Sequence, residues 1–344
     1  MKRSVRPSTP ADAPAIVALF ADVGLQPNAD LQHLQWKYWQ PRADWPGPRS
    51  FVLMSGSELI AHGAIVPGAW RCGSQELSII HMIDWAARRG EAGAGVAVMK
   101  HIGQQAGALL AVGGSEETLR ILPHIGFRRV GTVTGYVRPL HPLRMLRGAA
   151  NSGWKVLARF VRNVGWTLTA PSAPDSEWQA RRLARDELRK IASVLPVSTQ
   201  GAAVVARSTP LFEYVLSCPI VPMALFAVER AGRIRGYFLL ASAPGQVRIA
   251  DCWVDSHERA DWCAMILCAV AQAKRDPQAA EIVIWASDQL LAGALQACGF
   301  HARSELPIQM RPSVSTTIDT LPLRVQMLDN DAAFFHEGRS EFWA

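Results

Sequence analysis

Apolar and polar positions along this chain follow two periods, one helical and one of strands, and the same succession occurs twice. Ser4 to Pro7 reads as a short strand. ADAPAIVALFADVG follows, with Ile16, Val17, Leu19, Phe20 and Val23 at helical spacing. A second helical stretch carries Leu31, Leu34 and Trp36. FVLMSGSELIAHGAIV is then an apolar run, a polar turn at Ser55-Gly56-Ser57 and a second apolar run, which predicts a β-hairpin. The next apolar run, Leu77 to Ile83, stops at Asp84. Three glycines in six residues come next, then a helical pattern to about Ala106. A buried strand (Leu109 to Val112), a short helix (Glu116 to Leu122), Gly126-Phe127 and a further strand complete the unit.

The second pass matches landmark by landmark. Trp36-Lys37-Tyr38 before the first hairpin corresponds to Phe212-Glu213-Tyr214 before LFAVERAGRIRGYFLL, whose turn is Ala231-Gly232-Arg233. HIGFRRVG (124–131) corresponds to ACGFHARS (297–304). The offsets, 176 and 173 residues, are nearly constant, which argues for a duplicated unit of about 140 to 150 residues. In the second copy LARDELRKIASVLP reads as the first helix, QVRIADCWVD as the strand before the loop, DWCAMILCAVAQAK as the next helix and EIVIWAS as the buried strand. The expected fold class is α/β (α+β), two tandem domains, each a mixed, mostly antiparallel sheet flanked by helices. The boundaries fall at residues 1–141, 142–177 (connector and linker), 178–312 and 313–344 (tail).

A chain of 344 residues with 49% apolar and 19% charged content has material for two cores. No apolar run is long enough to span a membrane, and no leader pattern opens the chain. The six scattered cysteines form no framework and no zinc spacing, so no metal site is expected and reduced thiols in a cytoplasmic protein are. The net charge of +7 is local. Thr118 to Pro174 holds nine Arg or Lys and no Asp or Glu. That distribution, without interleaved aromatics, a recognition helix or a zinc finger, supports no nucleic-acid partner. Within it, residues 143–168 interleave Arg144, Arg147, Lys155, Arg159 and Arg162 with apolar positions. Two readings stay open there: a connector packed against both domains, or a helix lying on an anionic membrane face or an acidic partner. Nothing in the sequence specifies an oligomeric state.

Strand, glycine-rich turn, helix is an arrangement that suits phosphate. Gly90, Gly93 and Gly95 open a helix with Val96, Val98, Met99 and Ile102 on its apolar face. Backbone N–H groups and the positive helix end would face an anion, and Arg88 and Arg89 lie beside them. The spacing of GEAGAG is not that of a dinucleotide-binding fingerprint.

The residues VRPSTPADAPAIVALF, LQWKYW, SGSELIAHGAIV, the loop at 90–97 and SEETLRILPHIGF resemble a tandem pair of GNAT (Gcn5-related N-acetyltransferase) domains, over about residues 3 to 312. The arrangement is similar to GNAT-like proteins of bacterial envelope or polysaccharide clusters. The resemblance implies acetyl-CoA, or another acyl-CoA, as cofactor. It would be held by Arg88, Arg89, Gly90, Ala92, Gly93, Ala94, Gly95, Val96 and Ala97. The implied activity is N- or O-acyl transfer to a small-molecule or saccharide-type acceptor. In the family pattern Arg or Gln stands three residues before the first glycine; here Gly90 or Ala92 stands there, according to register. The second copy has DSHERADWCAMILC, with no glycine, and reads as a degenerate loop. The resemblance also implies a base on the strand before the loop, with Asp84 first and His81 second. The family's acid, a tyrosine before Gly-Phe, is Leu122 here and Leu295 in the second copy; its asparagine is replaced by Ser115 and Asp288. Tyr136 and His124 are the substitutes on offer. Trp36 and Tyr38, with Lys37 and Trp39, are expected to line the acceptor cleft. Asp329-Asn330-Asp331 reads as a solvated turn. Two rival functions stay open: a non-catalytic GNAT-fold ligand sensor or scaffold, and an aminoacyl transferase using aminoacyl-tRNA.

Overall fold

The computed structural model describes residues 3–25, 30–146, 154–196, 202–313, 321–335 and 342–344. The first half runs β1 (Arg3–Pro7), α1 (Ala13–Val23), α2 (Leu31–Leu34) with a wide helical turn over Gln35–Trp39, β2 (Ser50–Ser55), β3 (Glu58–Cys72), β4 (Gln75–Ala87), α3 (Ala94–Ile102), β5 (Ala108–Val112), α4 (Glu116–His124) and β6 (Arg128–Pro139). Two helices, α5 (Pro142–Leu146) and α6 (Trp154–Thr169), lead to the second half. That half runs β7 (Trp178–Arg182), a 3-10 helix (Arg185–Val194), β8 (Ala203–Val205), α7 (Thr209–Val215), β9 (Met223–Arg230), β10 (Arg233–Ala243), β11 (Gln246–Val254), α8 (Arg259–Ala273), β12 (Glu281–Ala286), α9 (Gln289–Ala297) and β13 (His301–Pro312). The tail adds β14 (Leu323–Arg324) and two short 3-10 turns.

This is the expected mixed α/β class, and its strands form one sheet. The path is β1-β2-β3-β4-β5-β13-β6-β12-β11-β10-β9-β7. The order reads the same from both ends once each first-half strand is matched to its second-half counterpart. Each half sends its last strand across the midline. β13 pairs with β5 (Met310 opposite Leu110), and β6 pairs with β12 (Tyr136 opposite Ile284). β6 and β13 then pair with each other. Residues 142–177 therefore link the halves without dividing the sheet. One hydrophobic cluster runs through both, including Trp36, Val137, Leu225, Ile284 and Met310.

Local chemistry explains the elements. Ser55 lies opposite Glu58 and Arg230 opposite Arg233, so both hairpins close through two-residue turns, Gly56-Ser57 and Ala231-Gly232. The first helix expected in the second half is wound differently: residues 185–194 form a 3-10 helix. Its buried residues are Leu188, Ile191 and Val194, spaced by three, and only a three-residue turn puts all of them on one line.

Candidate functional site

Alternation along β2 separates the two faces of the first half. Phe51 and Leu53 pack under α3 with Val98 and Ile102, and Val52 packs under α1 with Ile16 and Phe20. β4 breaks this alternation. Met82, Trp85 and Ala87 face α3, whereas Ile83 and Ala86 face α1. The extra residue is Asp84, where the β3–β4 register slips between His62 and Ala64 and the backbone turns to φ 48°. This β-bulge keeps the Asp84 carboxylate on the α1 side. β4 and β5 pair only over Ile79–His81 and Ala108–Leu110, so the bulge lies three residues past their last pairing.

Beyond β4 the chain turns at Gly90 (φ 86°) and Gly93 (φ 75°). A Cβ at either would meet nothing within 4 Å. Glycine is needed there for the left-handed backbone, and the outer side of the turn is open. Gly93 caps α3. The Ala94 N–H donates to the Glu91 carbonyl at 3.1 Å, and the next N–H groups of the first turn have no intrahelical acceptor. Gly95 is constrained otherwise. A Cβ there would come within 3.0 Å of the Trp85 indole, whose Nε1 donates to the Gly95 carbonyl at 2.9 Å. Val96 and Ala97 are half-buried behind the turn, and Ala92 and Arg89 are exposed. Arg88 pairs with Glu58, and Arg3 reaches Glu91 at 2.7 Å.

On the α1 face, Asp84 sits in a buried polar network. Lys37 Nζ lies 2.5 Å from Asp84 Oδ2 and 3.5 Å from Asp331 of the tail. The Tyr38 hydroxyl donates to Asp84 Oδ2 at 2.7 Å. Burial opposes ionisation of Asp84, but the Lys37 charge and the two hydrogen bonds hold its carboxyl below the usual range. Burial also pushes Asp331 up to about 6, against the pull of Lys37. The Asp84 backbone joins a second chain of bonds. Its carbonyl accepts from His62 Nδ1 at 2.9 Å, which leaves Nε2 to accept from Ser50 Oγ at 2.9 Å. Ser8 Oγ donates to Ser50 Oγ at 2.6 Å, and Trp39 Nε1 donates to Ser8 Oγ at 3.0 Å. Burial lowers His62 to about 4, so the ring is neutral. The chain of bonds surfaces at a cleft of about 490 Å³ whose walls include Ser8, Tyr38, Trp39, Trp45 and Ser50.

No protein-family model matches this sequence, and no curated protein is significantly similar to it. Solved structures are similar. N-myristoyltransferase of Saccharomyces cerevisiae with bound myristoyl-CoA superposes with a TM-score of 0.60 at 12% identity, covering 93% of this chain and 85% of the other. A GCN5-related N-acetyltransferase from Anabaena variabilis gives 0.58 at 11% identity, covering 90% and 73%. One from Kribbella flavida gives 0.54 at 11%, covering 90% and 71%. The chain has a GNAT fold.

In this GNAT fold the residues expected from sequence divide into groups. Asp84 and Tyr38 meet directly. His81 stays apart, buried, with its ring neutral because burial lowers it to about 4. Trp36 does not line a cleft. It stacks on Tyr214 at 4.6 Å and on His33 at 5.7 Å, and the Tyr214 hydroxyl donates to its carbonyl at 2.9 Å. The aromatic-x-Tyr landmarks of the two halves thus pack on each other in the core. Leu122 is buried under α3, His124 is exposed, and Tyr136 is buried on β6. The tail also differs from expectation. Asp329 and Asn330 are buried, Asp331 faces Lys37, and Arg207 pairs with Asp329 at 2.7 Å. Two buried cations hold this segment, so it is no solvated turn. Sequence reasoning passed over Lys37 as chemistry and over His62, Ser8 and Ser50 altogether, and read Asp331 as part of a solvated turn. A lysine between two aromatics that end up buried is a detectable signal; the pairing with a segment 294 residues away is not.

The second half lacks the open turn. Ser256 Oγ accepts from the Glu258 N–H at 3.0 Å, Trp262 Nε1 donates to the Ser256 carbonyl at 2.9 Å, and Asp261 brings a carboxylate to the first turn of α8. Side chains and negative charge stand where the first half has open backbone.

Proposed function

We propose that this chain is an acyl-CoA-dependent N- or O-acyltransferase acting on a small-molecule or saccharide-type acceptor, built from two copies of one unit of which only the first holds cofactor. The observation that carries this is the open turn of Gly90 and Gly93 at the start of α3, beside the parting of β4 and β5. The residues present suit a pyrophosphate. The N–H groups of Gly93, Gly95 and Val96 would hold it, with Arg89 nearby and the helix end adding positive potential. Acetyl-CoA or another acyl-CoA would bring the acyl group already activated as a thioester.

The chain's own residues would then handle the acceptor. Tyr38 lines the cleft and donates to Asp84. An acceptor proton passes to the phenol oxygen as the phenol proton moves to Asp84 Oδ2. Lys37 keeps Asp84 ionised at neutral pH and weakens it as a base, which favours an acceptor that loses its proton easily. His81 is off this route. Leu122 has no proton to donate, so no residue at that position would protonate the sulfur of a bound thioester. The same facts favour the second reading, a GNAT-fold sensor or scaffold, since Asp84 is fully engaged and the acid is missing.

Calorimetric titration of acetyl-CoA and CoA into the whole chain separates the two. Gly93→Asp adds a charge at a left-handed position that Gly93→Asn fills neutrally. Micromolar binding, kept in Gly93→Asn and lost in Gly93→Asp, supports the cradle. Absence of binding by the intact protein overturns the transferase. Binding without release of free thiol across a panel of amines and sugars favours the sensor.

A further inference from the structure

α6 is anchored on one side and bare on the other. Its inner side holds Asn163, which donates to Met145 Sδ of α5 at 3.4 Å. Near its C-terminal end, Trp166 stacks on His301 at 3.6 Å, and the guanidinium groups of Arg162 and Arg303 lie 4.4 and 4.8 Å from the Trp166 ring. The helix is therefore fixed to the sheet through β13. Its outer side carries Trp154, Leu157, Val161 and Leu168, which are 76%, 62%, 62% and 80% exposed. Their spacing of three, four and seven residues puts them on one stripe about 21 Å long. Leu143 of α5 is 68% exposed as well. Lys155 and Arg159 are exposed on the flank of the helix between that stripe and the anchored side, and no acidic residue occurs from 118 to 174.

We propose that α6 docks this protein on an anionic lipid surface. The apolar stripe enters the boundary between headgroups and acyl chains while Lys155 and Arg159 reach from the flank to the negative headgroups. An exposed aliphatic stripe costs solvation in water, and scattered exposure would not align on one face of a single helix. Charge selects the occupant. A second copy would bring the same cations face to face, and one narrow stripe falls short of the ~800 Å² per partner of a standard interface. No described helix is long and apolar enough to cross the membrane, so the contact is a surface one. This inference is independent of the proposed chemistry.

The test is co-sedimentation of the full chain with phosphatidylcholine vesicles, with and without about one-third phosphatidylglycerol, at low and high salt. The expected result is binding to the anionic vesicles alone, weakened several-fold by salt. In Leu157→Glu/Val161→Glu it falls at least tenfold, with an unchanged thermal midpoint because both sites are exposed. Wild-type protein that stays in the supernatant at low salt overturns the proposal. So does equal binding by the double variant, or a wild-type dimer in sedimentation velocity that the double variant abolishes.

Discussion

Two buried carboxylates occupy the same place in the two halves. Asp84 stands five residues after Ile79, where β4 first pairs with β5, and Asp251 stands five after Gln246, where β11 first pairs with β12. Each accepts a tyrosine hydroxyl at 2.7 Å, from Tyr38 and Tyr237. Each meets a buried cation, Lys37 for Asp84 and Arg207 for Asp251. The cation also reaches a tail carboxylate, Asp331 in one case and Asp329 in the other. The halves differ in what surrounds this shared kernel. Arg207 grips Asp251 with two bonds, at 2.7 and 2.9 Å, and both residues are buried. Lys37 offers Asp84 a point charge, and Tyr38 opens to a cleft. The same chemistry serves as a clamp in one half and adjoins an accessible space in the other.

Breaking either kernel has the largest expected effect. Arg207→Ala leaves two buried carboxylates without their cation and should cost about 3–5 kcal/mol in denaturant unfolding. Lys37→Ala should cost the same order, and Lys37→Met combined with Asp84→Leu should recover most of it. Next in size is pH. His62 and His81, both in the first half, titrate near 4 in the fold against an ordinary 6.5. The unfolded chain therefore binds more protons between those values, and stability present above 6.5 is lost as pH falls toward 4. Each ring contributes roughly 3 kcal/mol to that loss. Asp331, raised to about 6, acts in the opposite sense, since its contribution is lost as pH rises through 6. Urea midpoints at pH 7.5 and 4.5 should therefore differ sharply, and His81→Leu should roughly halve the difference.

A sharper contrast comes from the two tyrosines. Tyr38→Phe and Tyr237→Phe each remove one buried hydroxyl and should cost about 1–2 kcal/mol. Under the proposed acyltransferase chemistry, only Tyr38→Phe should also lower turnover, by 10²-fold or more in kcat, as read by thiol release. Equal kcat losses would assign Tyr38 a structural role. The smallest effect expected is at the hairpin turns. Ala231 holds φ 48°, so Ala231→Gly should stabilise by about 0.5–1 kcal/mol in thermal unfolding.

Much of this was legible beforehand because it depends on near neighbours. Alternation and turn residues marked the strands and both hairpins, and the Gly90–Gly95 turn stood out because side chains are missing there. What stayed hidden depends on distance along the chain or on one extra residue. The bulge at Asp84 is a single insertion in the alternation of β4, with no compositional mark. The pairing of Lys37 with Asp331 joins the two ends of the protein. Trp36 looked available because aromatic clusters read alike in a cleft and in a core, and only its contact with Tyr214 decides between them.

The crossing of the last strands sets a rule for biosynthesis. As the chain emerges from the ribosome, β1 to β6 appear long before residues 301–312, which fill the gap between β5 and β6. Until then β5 and β6 present open edges to the cell. A nascent chain stalled at residue 177 is thus an aggregation hazard and not a finished half. For the same reason, a gene split at that point should yield protein only when both fragments are made together.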